Sequence, residues 1–168
     1  MTPIVEGAPR IRVIAICVFR NAGRILVFED FDSVKQSHYY RPLGGGVEFG
    51  ETGKEAVIRE IREELSAEIT NVRSLGIMEN LFTLEGKPGH QIVFVFDAEF
   101  ADKTLYEKPF LEGYEHSADE PDFAAKWIRL EGAAQDGIRL VPEGLLKLLT
   151  ATVQGGEIFD SASIDKTS

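Results

Sequence analysis

Cysteine is nearly absent from this sequence, which contains one cysteine among 168 residues. An intrachain disulfide is therefore excluded, and the count is typical of proteins from a reducing cytoplasm. Long apolar runs are also missing, because the run VIAICVF (residues 13–19) is far too short to span a membrane. Residues 1–10 lack the basic segment and apolar stretch of a signal peptide. We therefore expect a cytoplasmic protein that does not contact a membrane.

Positive charge is scarce as well. The chain has 18 lysines and arginines against 28 aspartates and glutamates, which gives a net charge of −10. Such a surface repels phosphate backbones, so we expect no nucleic acid partner. A small phosphorylated substrate remains compatible with this charge if a metal ion supplies the positive charge. The histidines show no spacing typical of a metal site or a catalytic triad.

The order of apolar patterns predicts one α/β domain over residues 1–168. Strands are predicted within residues 11–19, 24–30, 72–86, 90–100 and 126–130. Helices are predicted from Thr52 to about Leu65 and over residues 141–153, with Pro142 in the first turn of the second helix. Residues 101–124 are predicted to form a long acidic loop with some local structure. Residues 152–168 form a polar C-terminal tail.

The most informative segment is GGGVEFGETGKEAVIREIREEL, residues 44–65. Thr52 and Glu55 have the spacing of a capping box, which predicts a helix start at Thr52. A helical period aligns an apolar stripe toward the core, formed by Val57, Ile58, Ile61 and Leu65. Three acids lie together on another face, with Ala56 one turn earlier: Glu60, Glu63 and Glu64.

Clustered carboxylates on one helix face have two interpretations. A solvated acidic surface is the more common one, but like charges at this spacing each destabilise a helix by about 0.2–0.5 kcal/mol. A cation site explains why the chain keeps three of them. Because no cysteine or histidine lies nearby, the donors suit a hard ion, Mg²⁺ or Mn²⁺.

The three glycines before this helix allow the backbone to approach another group closely. Two phosphate-binding motifs are excluded by the residues present. A Walker A loop ending at Lys54 would need glycine at Glu48 and a hydroxyl residue at Glu55. A dinucleotide fingerprint beginning at Gly44 would need glycine at Phe49.

The segment resembles the Nudix box, a pattern of fixed glycine, glutamate and arginine positions. The matching residues, within a box at 45–67, are Gly45, Glu51, Arg59, Glu60, Ile61, Glu63 and Glu64. One position departs from the family pattern, since Ser66 stands where a glycine usually follows the helix. The resemblance implies a Nudix-type α/β/α sandwich with a mixed central sheet. It also implies metal-dependent hydrolysis of a nucleoside diphosphate linked to a further group, as in nucleotides or nucleotide sugars.

The resemblance further implies roles for individual residues. Glu60 and Glu64 are expected to bind the metal, with the backbone carbonyl of Gly44 completing the shell. Glu63 is expected to be a third ligand or the catalytic base. Gly45, Glu51 and Arg59 are expected to have structural roles, with an ion pair between Glu51 and Arg59 that orients the helix.

The position of the catalytic base varies among Nudix enzymes, so acids outside the box are also candidates. They lie in the segment LEGYEHSADEPD and are Glu112, Glu115, Asp119, Glu120 and Asp122. We favour Glu120 among them. Arg41, close before the glycines, is a candidate phosphate ligand, although a structural ion pair is an equal alternative.

Two other functions remain to be weighed. A non-catalytic Nudix-fold nucleotide-binding or regulatory module is expected to have lost acids of the box, and this chain keeps them all. An isopentenyl diphosphate isomerase-like enzyme needs a catalytic cysteine, and Cys17 lies in an apolar strand. The oligomeric state is left open between a monomer and a homodimer.

Overall fold

The structure is a computed structural model and describes residues 9–114 and 123–151. Four strands form the first sheet, in the order β5, β1, β7, β6. Their bounds are β1 (Ile11–Val18), β5 (Leu43–Gly46), β6 (Ile69–Leu84) and β7 (Lys87–Phe100). β1 runs parallel to β7, whereas the β1–β5 and β6–β7 pairs are antiparallel. The predicted mixed central sheet is therefore confirmed.

A second sheet is antiparallel throughout its described strands. Its strands are β2 (Arg20–Asn21), β3 (Arg24–Asp32), β4 (Ser37–Arg41), β8 (Phe110–Gly113) and β9 (Phe123–Arg129). β3 lies at its centre and pairs with β2, β4 and β9, while β8 extends the sheet from β9. A short 3-10 helix, Lys103–Glu107, precedes β8.

Two helices cover opposite faces of the first sheet. Helix α1 (Gly53–Leu65) packs Val57 and Ile61 into one apolar cluster that includes Ala15 and Cys17. Helix α2 (Leu145–Ala151) packs into the other cluster, which contains Ile16 and Val18. Successive β1 residues thus point to alternate faces, as expected for a strand buried on both sides. Cys17 is buried as predicted, and this burial raises the pKa of its thiol well above the usual value.

The predicted boundaries differ from the structure at several places. The predicted loop at residues 101–124 contains a 3-10 helix, β8 and the first residues of β9, and β6 begins at Ile69 instead of residue 72. Helix α2 (Leu145–Ala151) begins three residues after Pro142. Gly144 has a φ of 90°, which lies outside the right-handed helical region, so the helix cannot include it. The sequence predicts no strand around Arg41, yet this segment forms β4 and β5. The second of these strands is difficult to predict because it contains three glycines, and glycine is depleted in strand interiors.

Within the ranges 9–114 and 123–151, no helix combines the length and apolar composition needed to cross a bilayer. The polar tail at residues 152–168 lies outside the described residues. A single domain over residues 1–168 therefore stays a prediction.

Candidate active site

Helix α1 begins as its sequence predicts. The side chain of Thr52 accepts a hydrogen bond from the Glu55 backbone N–H at 3.2 Å. The Glu55 carboxylate in turn accepts one from the Thr52 backbone N–H at 2.8 Å. This capping box confirms the predicted start and satisfies two backbone N–H groups that the helix itself cannot pair.

The apolar stripe of α1 also lies where the helical period places it. Val57 and Ile61 are fully buried, and Ile58 and Leu65 are partly buried against the same cluster. Ala56 differs from the expectation, because it is buried in the core and is not an open position beside the acids.

The three acids predicted to share one face of α1, Glu60, Glu63 and Glu64, have unequal surroundings. Glu64 is buried, with 5% of its surface exposed, whereas the Glu63 side chain is 59% exposed. Glu60 and Glu64 are one turn apart and both reach the glycines of β5. The acidic face predicted from spacing thus consists of a buried Glu64, a partly buried Glu60 and an exposed Glu63.

The glycines of β5 let these carboxylates approach the strand backbone. The Gly44 backbone N–H donates a hydrogen bond to the Glu64 carboxylate at 3.0 Å. A Cβ on Gly44 would lie 2.1 Å from the Ala15 carbonyl oxygen, and its φ of 129° also disfavours any other residue. A Cβ on Gly45 would lie 2.5 Å from the carboxylate carbon of Glu60. Glycine at position 44 therefore allows β5 to approach β1 closely, and glycine at position 45 leaves room for the Glu60 carboxylate.

Arg59 connects the loop, the strand and the acids. Its Nε donates to Glu51 at 2.9 Å and its Nη2 donates to the other Glu51 oxygen at 3.0 Å, which forms the predicted ion pair in bidentate geometry. Nη2 also donates to the Gly46 carbonyl oxygen at 2.8 Å. The hydrogen bond from Arg59 is the main cause that lowers the pKa of the Glu51 carboxyl. The hydrogen bond to Glu51 is likewise the main cause that raises the pKa of the Arg59 guanidinium.

The same guanidinium also lies between two of the candidate metal ligands. Arg59 Nη1 donates to Glu60 at 2.9 Å and to Glu63 at 3.1 Å. In this arrangement, no three described Asp, Glu, His or Cys side chains are grouped as a ready-made metal site.

The donor set nevertheless fits a hard divalent ion. The three carboxylates offer only oxygen, and Arg59 Nη1 demonstrates that the space between Glu60 and Glu63 accepts a positive charge. Glu60 and Glu64 would hold such an ion beside β5, with Glu63 able to join after it leaves Arg59.

Arg41 lies at the end of β4, on a strand that leads directly into β5. Its guanidinium stacks on the Phe28 ring, with 4.1 Å between the guanidinium carbon and the ring centroid. Phe28 in turn packs against Phe123, with ring centroids 4.9 Å apart. Neither aromatic residue is expected at the site from sequence alone, although the strand period places Phe28 on the same face of β3 as the buried Leu26.

The favoured base, Glu120, lies outside the described residues, as do Glu115, Asp119 and Asp122. Glu112 is described and exposed on β8. Of the described residues on either side of this segment, Tyr114 donates its backbone N–H to the Glu64 carbonyl oxygen at 2.8 Å, and Phe123 contacts Phe28.

Comparison with known proteins gives one family. The NUDIX domain model matches residues 8–149. A curated relative, the NAD-capped RNA hydrolase NudC of Haemophilus influenzae (strain PittGG), is 37% identical over 83 residues. That match covers 49% of this chain but only 30% of the relative.

Solved structures share the fold. The Escherichia coli ORF135 protein has a TM-score of 0.61 and 23% identity, with 89% of this chain and 96% of that chain covered. A NUDIX hydrolase from Nitrosomonas europaea has a TM-score of 0.57 and 15% identity, with 84% of this chain and 87% of that chain covered.

Proposed function

The chain belongs to the NUDIX domain family of hydrolases, and from this premise we propose that it hydrolyses a diphosphate linkage with a divalent metal ion. The substrate is a nucleoside diphosphate linked to a further group, and the ion is Mg²⁺ or Mn²⁺. The observation that carries the proposal is the pair of carboxylates, Glu60 and Glu64, held against the glycines of β5. A purely solvated acidic helix would have no reason to bury Glu64.

The residues of the site have different roles in the proposed reaction. Glu60 and Glu64 would hold the ion, together with the carbonyl of Gly44. A bound ion would supply positive charge for the non-bridging phosphate oxygens and would lower the pKa of a water molecule. Glu63 is a third ligand or the base that accepts the proton of the attacking water, and Glu120 is the alternative base. Water adds to one phosphorus atom while the bridging P–O bond breaks, and the bridging oxygen leaves with the other phosphate.

Two further residues hold this arrangement in place, and a third contacts the substrate. Arg59 binds Glu51 and the Gly46 carbonyl, which ties α1 to the loop before it and to β5. Gly45 provides the space that the Glu60 carboxylate occupies. Arg41, supported by Phe28, binds a phosphate of the substrate as a point of positive charge outside the box.

The substrate is a small nucleotide derivative rather than a polynucleotide. A net charge of −10 opposes binding of an extended phosphate backbone. The relative NudC is named as an NAD-capped RNA hydrolase, so NAD-type dinucleotides are a first choice in a substrate screen. The single cysteine supports a cytoplasmic location.

A screen for hydrolysis with Mg²⁺ tests the proposal, over nucleoside di- and triphosphates, sugar nucleotides, ADP-ribose and dinucleotides. On any substrate found, Glu64→Gln should lower kcat by roughly 10²–10⁴, because it removes a positioned carboxylate. Glu68→Gln is the matched control, since this exposed acid lies beyond α1 and pairs with Arg62. Full activity of Glu64→Gln in saturating Mg²⁺ would contradict the proposal. A folded wild type with no turnover would favour the non-catalytic binding module.

A further inference from the structure

The β3–β4 hairpin carries a carboxylate on the side of the second sheet that faces α1. Side chains two residues apart on a strand share a face, so Asp30 lies on the same side of β3 as Leu26. Leu26 belongs to the apolar cluster into which α1 packs. Across the hairpin, Asp30 pairs with Tyr39, which precedes the candidate phosphate ligand Arg41 by two residues. Asp30, Tyr39 and Arg41 therefore lie on one face of the hairpin, directed toward α1.

Strand geometry limits how far this carboxylate lies from the candidate metal site. Arg41 precedes Gly45 by four residues along the chain, and Tyr39 precedes it by six. At about 3.3 Å per residue, these two positions lie at most about 13 Å and about 20 Å from Gly45. A ligand whose diphosphate is held at the Glu60 carboxylate would thus pass Arg41 and extend its next group toward Asp30.

Two hydrogen bonds orient the Asp30 carboxylate. The Tyr39 hydroxyl donates to Oδ2 at 2.8 Å, and the Phe31 backbone N–H donates to Oδ1 at 2.7 Å. Tyr39 is buried, and this burial, together with the hydrogen bond to Asp30, raises the pKa of the hydroxyl, so it keeps its proton and remains a donor. Each carboxylate oxygen has a second lone pair, and Asp30 is exposed, so both oxygens can accept a further hydrogen bond.

The chemistry of a carboxylate decides which groups suit this position. An ionised carboxylate accepts hydrogen bonds and donates none, so a phosphate group beside it would be repelled. An amino group of a base or a hydroxyl of a sugar is a donor and would be bound. Resting on the proposed hydrolysis of a nucleoside diphosphate derivative, we propose that Asp30 is a specificity-determining residue that accepts a hydrogen bond from the nucleoside. Tyr39 is the residue that positions its carboxylate.

The neighbouring cross-strand pair provides a matched control. Glu29 pairs with Tyr40, and the Tyr40 hydroxyl donates to the Glu29 carboxylate at 3.0 Å. This pair has the same chemistry in the same hairpin, but alternation along the strands directs it to the opposite face of the sheet. If both pairs served only to stabilise the hairpin, variants of the two would have the same effect on ligand binding.

Titration calorimetry with Mg²⁺ and methylene-bridged NAD, whose diphosphate cannot be hydrolysed, tests the role of Asp30. Asp30→Asn should weaken binding by about tenfold or more, because it removes a charged hydrogen-bond acceptor. Tyr39→Phe should weaken binding by a smaller factor, because the carboxylate stays but loses the hydroxyl that orients it. Glu29→Gln and Tyr40→Phe should bind within about twofold of wild type, because they alter the opposite face of the sheet.

Two analogues of methylene-bridged NAD identify the donor. The hypoxanthine counterpart lacks the amino group of adenine, and the dideoxy counterpart lacks the hydroxyls of the adenosine ribose. The analogue without the donor should bind wild type about tenfold more weakly than the parent ligand, and Asp30→Asn should bind the two equally. The proposal is overturned if Asp30→Asn and Glu29→Gln bind alike, or if Asp30→Asn shows the same differences between the ligands as wild type. Wild type that binds none of the three ligands also overturns it, whereas the hydrolysis screen decides separately whether the proposed function holds.

Discussion

At the scale of single residues, the surroundings of Glu60 and Glu64 depend on glycines of the neighbouring strand β5, which have no side chains. The Glu60 carboxylate fits against β5 because Gly45 carries no Cβ, and the Glu64 carboxylate is held there by a hydrogen bond from the Gly44 backbone N–H. Spacing along the helix predicts which acids are neighbours, but it cannot predict which of them is buried, because that depends on a strand formed elsewhere in the sequence. The burial of Glu64 therefore became known only from the structure.

Gly45 offers a direct test of this fit. Gly45→Ala should displace the Glu60 carboxylate and lower kcat by about 10²-fold, since misplacement by about 1 Å has effects of that size. Gly46→Ala is a matched control, because a Cβ on this neighbouring glycine meets nothing within 4 Å. Steady-state kinetics on the identified substrate measures both. Equal activity of the two variants would show that the position of Glu60 does not matter for turnover.

Ser66 is the residue that departs from the box pattern, and it adopts the geometry of the glycine it replaces. Its φ is 51° and its ψ is 33°, and its backbone N–H donates to the Arg62 carbonyl oxygen. A left-handed conformation costs a residue other than glycine about 1–2 kcal/mol, which the greater entropy of unfolded glycine partly offsets.

Ser66→Gly should therefore raise the free energy of unfolding by about 0.5–1 kcal/mol. Urea unfolding followed by circular dichroism measures it, and Ser66→Ala, which keeps a Cβ in the left-handed conformation, should give no such gain. A lower urea midpoint for Ser66→Gly than for wild type would contradict this account.

At the scale of elements, α1 could be predicted almost completely and β4 and β5 could not. The helix contains its own capping box and its own apolar period, so local sequence specifies it. β5 consists of Leu43 followed by three glycines, and it becomes a strand only through its antiparallel pairing with β1. Tertiary pairing outweighed local propensity there, as it often does in sheets.

The phase of α1 is tested by comparing its core side with its cap. Ile61→Ala removes a fully buried side chain and should cost about 2–5 kcal/mol. Thr52→Ala removes the cap and should cost about 1 kcal/mol. Urea midpoints give both values. The opposite ranking would mean that the helix face directed at the sheet has been misidentified.

At the scale of the whole molecule, metal binding should be visible as stability. An ion that binds only the folded chain adds about 2.7 kcal/mol at 100 times its dissociation constant. In a domain of this size, that raises the melting temperature by several degrees. Mg²⁺ or Mn²⁺ should therefore raise the melting temperature more than Na⁺ at matched ionic strength, with a non-hydrolysable nucleotide included because Mg²⁺ keeps its own waters.

The double variant Glu60→Gln with Glu64→Gln is the control for this shift, and it should lose most of the response. Its metal-free melting temperature should not exceed that of wild type, because Glu60 is paired with Arg59 and Glu64 accepts a hydrogen bond from Gly44. If metal raised the melting temperatures of wild type and double variant equally, with and without nucleotide, Glu60 and Glu64 would not be ligands of the metal.

The parallel pairing of β1 with β7 also has a consequence for how the chain is made. Ile11 of β1 pairs with His90 of β7, so β1 leaves the ribosome long before β7 has been synthesised. At about 5–20 residues per second, this interval lasts on the order of 4–16 seconds. β5 arrives earlier, since Ile14 pairs with Gly46, and it covers one edge of β1 during that wait. The glycine strand that admits the glutamates in the finished protein is thus also the first strand that can shield the apolar β1 from aggregation during synthesis.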